Sequence, residues 1–398
     1  HLEKKFMKKS NIKICNRKKI LMVVAGGTGG HIYPSLSLNN KMSNYNFIII
    51  TDQRGGKYYE NFFEKKSLNF KIFTHKVSSP SNKNIIQKII SLLQISISII
   101  KSLFIILFKK PDVVIGFGGY PTIAPMISSK ICSIPSIIHE QNAIIGRVNR
   151  LLSKISNILA LSFVDTKKVE NVKNIIFTGN PVRREFEEIG RANYIKSISN
   201  KPFTILIYGG SLGASYFSKQ LTSIICQLPE KIRKEIKIIQ QVRVEDLKSV
   251  RNKYKTHKIE AEISTFFQNI YDKFETAHLI ITRSGGSTVA EILASCKPAI
   301  FVPLPNSLDN HQYENAKFFE TNDCGWIFDQ INNNKSDFEK LLKDIFKNKQ
   351  KLSKASQKIR NLSQTLSNLR KSKTPSDYLS DLISEMSNNP KKGINNLC

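Results

Sequence analysis

Acidic residues are scarce in this chain: 31 Asp and Glu stand against 61 Lys and Arg over 398 residues, for a formal net charge of +30. Such a balance, most of it lysine, favours an anionic partner such as a phosphorylated substrate or an anionic lipid. No DxD pattern or carboxylate cluster appears, so neither a metal ion nor another cofactor is expected. Cysteine is thinly spread. Cys15, Cys132, Cys226, Cys296, Cys324 and Cys398 form no CxxC pair, which argues against a zinc site or a disulfide framework and fits reduced cytosolic thiols. No RNP motif or zinc-finger spacing is present, so no nucleic-acid partner is expected despite the charge. Residues His1–Lys19 are basic and hold no apolar signal-peptide core; Met7 is the expected natural start, with His1–Phe6 an extension.

What the chain does have is glycine turns. The stretch Ala25–Pro34 reads AGGTGGHIYP and follows the unbroken apolar run Ile20–Val24, the pattern of a strand buried on both faces. Ser35–Leu38 can start a helix, so the glycines sit at a strand-to-helix turn. Backbone N–H groups left bare there suit a phosphate. His31 stands at the loop exit, where an imidazole can act as a general base. The plainer reading is an ordinary turn with a surface histidine.

The same scheme recurs. Phe47–Thr51 reads as a strand followed by a turn at Asp52–Gly56. Val113–Ile115 leads into a second glycine turn, Gly116–Thr122. Pro135–His139, Ile158–Leu161 and Ile175–Thr178 continue the first half. In the second half, Phe203–Tyr208 precedes Gly209–Ala214, Ile236–Gln240 is a strand, Leu279–Thr282 precedes Arg283–Thr288 and a helix Val289–Ser295, and Pro298–Pro303 closes the series. Strands alternating with helical stretches predict parallel α/β sheets, with ligands beyond the carboxyl ends of the strands. The expected division is a basic extension over 1–19, a first domain over 20–184, a polar linker over 185–202, a second domain over 203–372 and a C-terminal segment over 373–398.

The apolar stretch Ile85–Phe108 allows three readings. Gln87/Lys88, Ser91, Gln94, Ser98 and Lys101/Ser102 recur every three or four residues and draw a polar stripe along one helix face. The stretch can pack on the sheet, lie on a bilayer surface with its lysines toward anionic headgroups, or span the membrane.

Seven ordered motifs together resemble one family. They are GGTGGHIYP at Gly26–Pro34, GFGGYPT at Gly116–Thr122, HEQNAIIGRVNRLLS at His139–Ser153, TGNPVR at Thr178–Arg183, GGSLGA at Gly209–Ala214, RSGGSTVAE at Arg283–Glu291 and PLPNSLDNHQYENA at Pro303–Ala316. The set is similar to the lipid II-forming peptidoglycan glycosyltransferases of glycosyltransferase family 28. That resemblance implies the GT-B fold: two facing Rossmann-like domains with parallel sheets, an inter-domain cleft, and a C-terminal helix near Asp377–Met386 crossing back to the first domain. It implies transfer of N-acetylglucosamine from UDP-N-acetylglucosamine to lipid I, the undecaprenyl-diphosphate-linked acceptor. It also implies peripheral attachment to an anionic membrane surface at the cytoplasmic face of the inner membrane, and other cell-wall or division enzymes as partners.

The resemblance assigns roles residue by residue. His31 is the catalytic base. Thr28, Gly29 and Gly30 lie at the sugar end of the donor, with Asn142 and Arg183 completing that side. Ser211 binds the diphosphate, and Gly286, Ser287, Thr288 and Val289 set a helix N-terminus against the donor phosphates. Phe267 reads the uracil edge through its backbone, Glu291 takes the ribose hydroxyls and Gln312 the N-acetylglucosamine hydroxyls. Gly26, Gly27, Gly118, Gly119 and Tyr120 hold the acceptor diphosphate. Leu212 departs from the family's GGSQGA, and residues Ile239–Arg243 lack its His-Gln-x-Gly. The alternatives are a GT-B sugar transferase or nucleotide-sugar epimerase with another substrate, and a non-catalytic scaffold that keeps the fold.

Overall fold

The structure is a computed structural model. It describes residues 17–38, 42–66, 69–76, 84–192, 194, 202–209 and 215–388. Continuous apolar runs form the centre of each half, as burial on both faces demands. In the first half, β1 (Lys19–Val24), β2 (Tyr45–Thr51), β3 (Phe70–Thr74), β4 (Val113–Gly116), β5 (Ser136–Glu140), β6 (Ile158–Leu161) and β7 (Ile175–Phe177) make a seven-stranded sheet in the order β3-β2-β1-β4-β5-β6-β7. In the second, β8 (Phe203–Tyr208), β9 (Ile236–Gln241), β10 (Glu260–Ser264), β11 (Leu279–Thr282), β12 (Ala299–Phe301) and β13 (Trp326–Ile327) make a six-stranded sheet in the order β10-β9-β8-β11-β12-β13. Every pairing is parallel. In each sheet the chain order reverses beside the first strand, between β1 and β4 and between β8 and β11. The loops leaving those strands flank the crevice where doubly wound sheets bind ligands. The α/β, GT-B expectation matches this architecture.

Two local expectations fail for a shared reason. The glycines of Asp52–Gly56 were expected in a turn, but they lie in helix α2 (Gln53–Lys66). The Asp52 carboxylate accepts from Gly55 N at 2.8 Å, and that bond starts the helix. Likewise helix α1 opens at Gly29 and runs to Ser37, so half of the first glycine stretch is helical. Glycine permits a turn without requiring one. The polar segment after Val182 begins as helix α6 (Arg184–Arg191), whose Phe186 is fully buried.

Helix α3 (Ile85–Lys109) is capped by Asn84, whose side chain accepts from Gln87 N at 2.9 Å. Among the described residues it is the one helix long and apolar enough to cross a membrane. Its serine stripe faces inward: Ser91, Ser98, Ser102 and Ile106 are buried, against α4 (Ile123–Ile131) and the core. Ser128 Oγ of α4 donates to Ile99 O at 3.2 Å. Small side chains let the two helices approach closely. The cost is an apolar face turned outward, carrying Ile86, Ile89, Leu93, Ile97, Ile100, Phe104 and Phe108.

Helix α5 (Arg147–Leu152) follows β5. In the second half, α7 (Gly286–Ser295), α8 (His311–Thr321) and α9 (Gln350–Leu369) complete the elements used below. The final helix, α10 (Pro375–Asn388), returns to the first half. Its Leu379, Leu382, Ile383 and Met386 are buried in one core with Leu21 and Val23 of β1. Each such side chain contributes roughly 1.5–3 kcal/mol of burial. Tyr45 Oη and Ser387 Oγ bond at 2.7 Å, and Lys19 Nζ donates to Ser387 Oγ at 3.1 Å and reaches Asn388.

Candidate active site

A cleft of about 970 Å³ opens between the two sheets. Its walls are the glycine turns after β1, β4 and β11, the HEQN turn after β5, and the start of α8. Two helix N-termini meet in it. Thr28, the N-cap of α1, makes no side-chain cap, and Gly285, the N-cap of α7, has no side chain to make one. The first amides of both helices are therefore unspent, at the positive ends of two dipoles. Ser287 Oγ donates to Gly30 O at 3.1 Å and ties the two ends together. The unspent edge of α7 is Gly286–Thr288. Val289 N already donates to Gly285 O, and the Val289 side chain is buried away from the cleft.

His31 lines the cleft one turn into α1. Its Nδ1 lies 2.9 Å from Gly26 O. A carbonyl only accepts, so Nδ1 carries the hydrogen and Nε2 keeps a lone pair. Burial lowers the pKa of His31 below its ordinary 6.5, opposed by the Gly26 carbonyl and the Glu140 charge. The neutral imidazole is thus the form present at neutral pH. Gly119 makes room for this arrangement: at φ +83°, a Cβ there would stand 3.0 Å from Gly26 O and 3.4 Å from His31 Nδ1.

Of the five glycine-turn positions expected to hold an acceptor diphosphate, Gly119 and Tyr120 line the cleft. Gly26, Gly27 and Gly118 do not line it. The Gly27 amide is already used, donating to Asp52 Oδ2 at 3.0 Å. Thr28, Gly29, Gly30, Asn142, Arg183, Phe267, Gly286, Ser287, Thr288, Glu291 and Gln312 all border the same cleft. Ser211 and Leu212 lie outside the described residues.

An ionic group stands between α6, β8 and α7. Glu291 Oε1 is 3.5 Å from Arg183 Nη2, and Glu291 Oε2 accepts from Tyr208 Oη at 3.2 Å. Burial raises the Glu291 pKa, while Arg183 and Tyr208 hold it down. The Arg183 guanidinium lies near the rings of Tyr33, Phe186 and Tyr271.

Several residues here were not singled out by sequence reasoning. Buried Glu140 holds the HEQN turn: Oε1 accepts from Asn142 N and Nδ2 at 2.9 and 3.0 Å, and Oε2 from Gly146 N and Asn149 Nδ2 at 2.9 and 2.8 Å. Asn315 of α8 reaches across, its Nδ2 donating to Asn142 Oδ1 at 3.0 Å and its Oδ1 accepting from Ala143 N at 2.8 Å. The Asn142 amide is thus a bridge between domains. Arg283 Nη1 donates to Val302 O, Pro303 O and Gln330 Oε1, and its guanidinium borders the cleft. Gln312 Oε1 accepts from Leu304 N at 2.9 Å, which aims the amide. Glu140, Arg283 and Asn315 all lie within motif stretches. Their signal was residue type inside a motif, without a partner visible in sequence.

His139 is different. It is fully buried in β5, with Nε2 donating to Gly179 O at 3.0 Å and Nδ1 accepting from Gln141 Nε2 at 3.0 Å. That pattern needs the neutral ring, and burial pushes its pKa down to about 4.

Comparison with known proteins agrees with the geometry. Residues 21–160 match the Glycosyltransferase family 28 N-terminal domain, and residues 204–371 the Glycosyltransferase family 28 C-terminal domain. A UDP-N-acetylglucosamine–N-acetylmuramyl-(pentapeptide) pyrophosphoryl-undecaprenol N-acetylglucosamine transferase from Wolbachia pipientis subsp. Culex pipiens (strain wPip) is 34% identical over 334 residues, 83% of this chain and 91% of the relative. A protein of the same name from Rickettsia canadensis (strain McKiel) is 34% identical over 374 residues, 93% of this chain and 99% of the relative. The crystal structure of Acinetobacter baumannii MurG superposes with a TM-score of 0.71 at 24% identity, covering 92% of this chain and all of that one. The chain therefore belongs to glycosyltransferase family 28 and, within it, to the UDP-N-acetylglucosamine–N-acetylmuramyl-(pentapeptide) pyrophosphoryl-undecaprenol N-acetylglucosamine transferases.

Proposed function

We propose that this chain transfers N-acetylglucosamine from UDP-N-acetylglucosamine to the C4 hydroxyl of the muramyl sugar of lipid I, forming lipid II with inversion at the anomeric carbon. The observation that carries the reading is the meeting of two uncapped helix N-termini, at Gly29 and Gly286, around a histidine held as its Nδ1–H tautomer. A nucleotide-sugar reaction must stabilise a diphosphate leaving group. The α7 amides of Gly286, Ser287 and Thr288 supply that stabilisation. Glu291 takes the ribose hydroxyls, Phe267 offers its backbone to the base, and Gln312 meets the sugar hydroxyls. Gly119 and Tyr120 border the acceptor diphosphate. His31 Nε2 removes the proton from the acceptor hydroxyl as the bond to the anomeric carbon forms and UDP departs.

The membrane belongs to the same reading, because the acceptor is a lipid. The outward apolar face of α3, flanked by Lys88, Lys101, Lys109 and Lys110, suits peripheral docking on an anionic bilayer. The inward serines support docking over spanning, since they tie one side of the helix to the protein.

The deciding experiment follows UDP release from UDP-N-acetylglucosamine, with and without a lipid I analogue. Release that depends on the analogue is expected, with lipid II as product. Equal release in both arms, or none in either, overturns the reading.

A further inference from the structure

A second cavity, of about 370 Å³, lies against the other face of α7. That helix gives Ser287, Thr288 and Glu291 to the active-site cleft, and Val289, Ala290 and Leu293 to this one. Both passages of the chain between the domains wall it, through Phe177–Val182 and through Leu366–Pro375. The two passages touch. At Gly179, whose φ is +70°, a Cβ would stand 3.0 Å from Pro375 Cγ and 3.2 Å from Arg370 Nη1.

The lining is cationic and apolar. Arg370 is only 6% exposed, its Nε donates to Lys373 O at 3.3 Å, and its guanidinium lies 5.4 Å from the Phe177 ring centroid. The Glu187 carboxylate, on the same lining, acts on its charge. Burial lowers its pKa to about 10, which leaves it charged at neutral pH. Arg191 and Arg360 add to the positive side, Lys373 is paired with Asp381 at 2.6 Å, and Glu187 is the one carboxylate among the lining residues. Asn180, also 6% exposed, donates through Nδ2 to Gly286 O at 3.1 Å, while its buried Oδ1 has no partner among the described residues. The lining thus sets Arg191, Arg360 and Arg370 against the single carboxylate of Glu187, and a buried acceptor without a donor is costly unless something completes it.

We propose that this cavity is a second ligand site, which takes a small amphiphilic anion: one phosphate or carboxylate against Arg370, and a short apolar body against Phe163, Leu293 and Phe318. A hydrogen-bond donor on the same molecule belongs at Asn180 Oδ1. The volume is that of a small-molecule pocket. Because the walls join both inter-domain passages to the back of α7, occupancy favours the arrangement in which the α7 N-terminus faces α1. The ligand and the nucleotide-sugar then raise each other's affinity by the same factor.

Octyl phosphate is the probe, with inorganic phosphate as its headgroup control, titrated by calorimetry into the full chain with and without saturating UDP. One saturable site for octyl phosphate is expected in both conditions, with inorganic phosphate at least tenfold weaker. Ser363→Phe, which fills the cavity from α9 and leaves the cation in place, should weaken octyl phosphate at least tenfold while UDP affinity stays unchanged. Arg370→Gln should do the same to octyl phosphate, and if that variant does not fold, Ser363→Phe decides alone. Octyl phosphate should tighten UDP binding at least twofold in the unaltered chain and not in Ser363→Phe. Binding that survives Ser363→Phe, that UDP displaces, or that never saturates overturns the site. Unchanged UDP affinity overturns the coupling. The titration reads binding directly, so it stands or falls apart from turnover.

Discussion

Arg183, the N-cap of helix α6, and Glu291, on helix α7, stand 3.5 Å apart. The pair does two things at once: it ties the start of α6 to α7 and sets a carboxylate on the cleft wall. Glu291→Ala should weaken UDP-N-acetylglucosamine by about tenfold to a hundredfold, the loss of one charged hydrogen bond at roughly 1.5–3 kcal/mol. The acceptor Michaelis constant should hardly move. Arg183→Ala should lower the melting temperature more than Glu291→Ala, because it strands a buried carboxylate, whereas a stranded Arg183 keeps three aromatic rings. Donor calorimetry and thermal melts check both, and unchanged donor affinity removes Glu291 from the site.

Two buried histidines set the acid side of stability. His75 and His139 both have pKa values pushed down to about 4 by burial, with Lys101 adding to the effect at His75. The unfolded chain binds protons at these sites below the ordinary 6.5, and the folded chain does not until about 4. Their contribution is therefore complete above 6.5 and drains away as pH falls to about 4, at most about 3 kcal/mol each. Among the described residues, neither ring nitrogen of His75 has a hydrogen-bond partner. His75→Leu should flatten the decline in urea midpoint between pH 7 and pH 5, and should not destabilise at pH 5. An unchanged slope would show that His75 does not titrate in this range.

The outward face of α3 gives a third test. Ile100 and Phe104 are 54% and 57% exposed, so replacing them costs little in the folded chain. Ile100→Glu with Phe104→Glu should abolish sedimentation with anionic vesicles and leave UDP affinity unchanged. Each lost apolar anchor is worth roughly 1.5–3 kcal/mol, with about 1 kcal/mol more for each surface lysine that no longer reaches headgroups. If carbonate and high salt leave the unaltered chain in the membrane and only detergent frees it, α3 spans instead.

How much of this was legible in sequence depends on how local each feature is. The strands of both sheet centres and the glycine turns at β1, β4 and β11 follow from short runs, because a doubly buried strand and a strand-to-helix turn are written in consecutive residues. The short strands β3, β10 and β13 are not. β3 and β10 mix apolar and polar types and β13 is only two residues long, so sheet pairing decides them. The stripe on α3 was visible from its period, but not its direction: a period cannot say whether serines or isoleucines meet the protein. The bonds of Asn315 to Asn142 and Ala143 span more than 170 residues and a domain boundary, so no local pattern announces them.

Gly119 tests the scaffold behind the histidine. Gly119→Ala places a methyl in a positive-φ position, at 3.0 Å from Gly26 O and 3.4 Å from His31 Nδ1. At φ +83° and ψ 162° the backbone lies where almost only glycine goes, a strain of about 1–3 kcal/mol for an alanine. The expected result is a modest loss of melting temperature and a much larger loss of kcat, since the Gly26–His31 bond is displaced. Equal kcat in the alanine variant would separate that bond from the chemistry.

The chemistry itself rests on His31. A sugar hydroxyl attacks poorly until its proton is taken, and inversion needs the base opposite the leaving group. The Gly26 carbonyl holds the Nδ1 hydrogen, so Nε2 is the nitrogen with a lone pair to spend. Burial keeps the ring neutral to pH values below the ordinary 6.5, and activity should fall only as pH drops through that lowered value. A bound diphosphate pushes the limb back upward. His31→Ala should lower kcat by about 10²–10⁴ with donor affinity nearly unchanged. His31→Gln can still donate to Gly26 O but has no lone pair basic enough for the proton, so it should be as slow as the alanine variant and lose the acidic limb. If His31 only orients a substrate, His31→Gln keeps most of the activity. The pH–rate profiles of the unaltered chain and of His31→Gln, measured side by side, decide: an acidic limb in both sinks the base assignment.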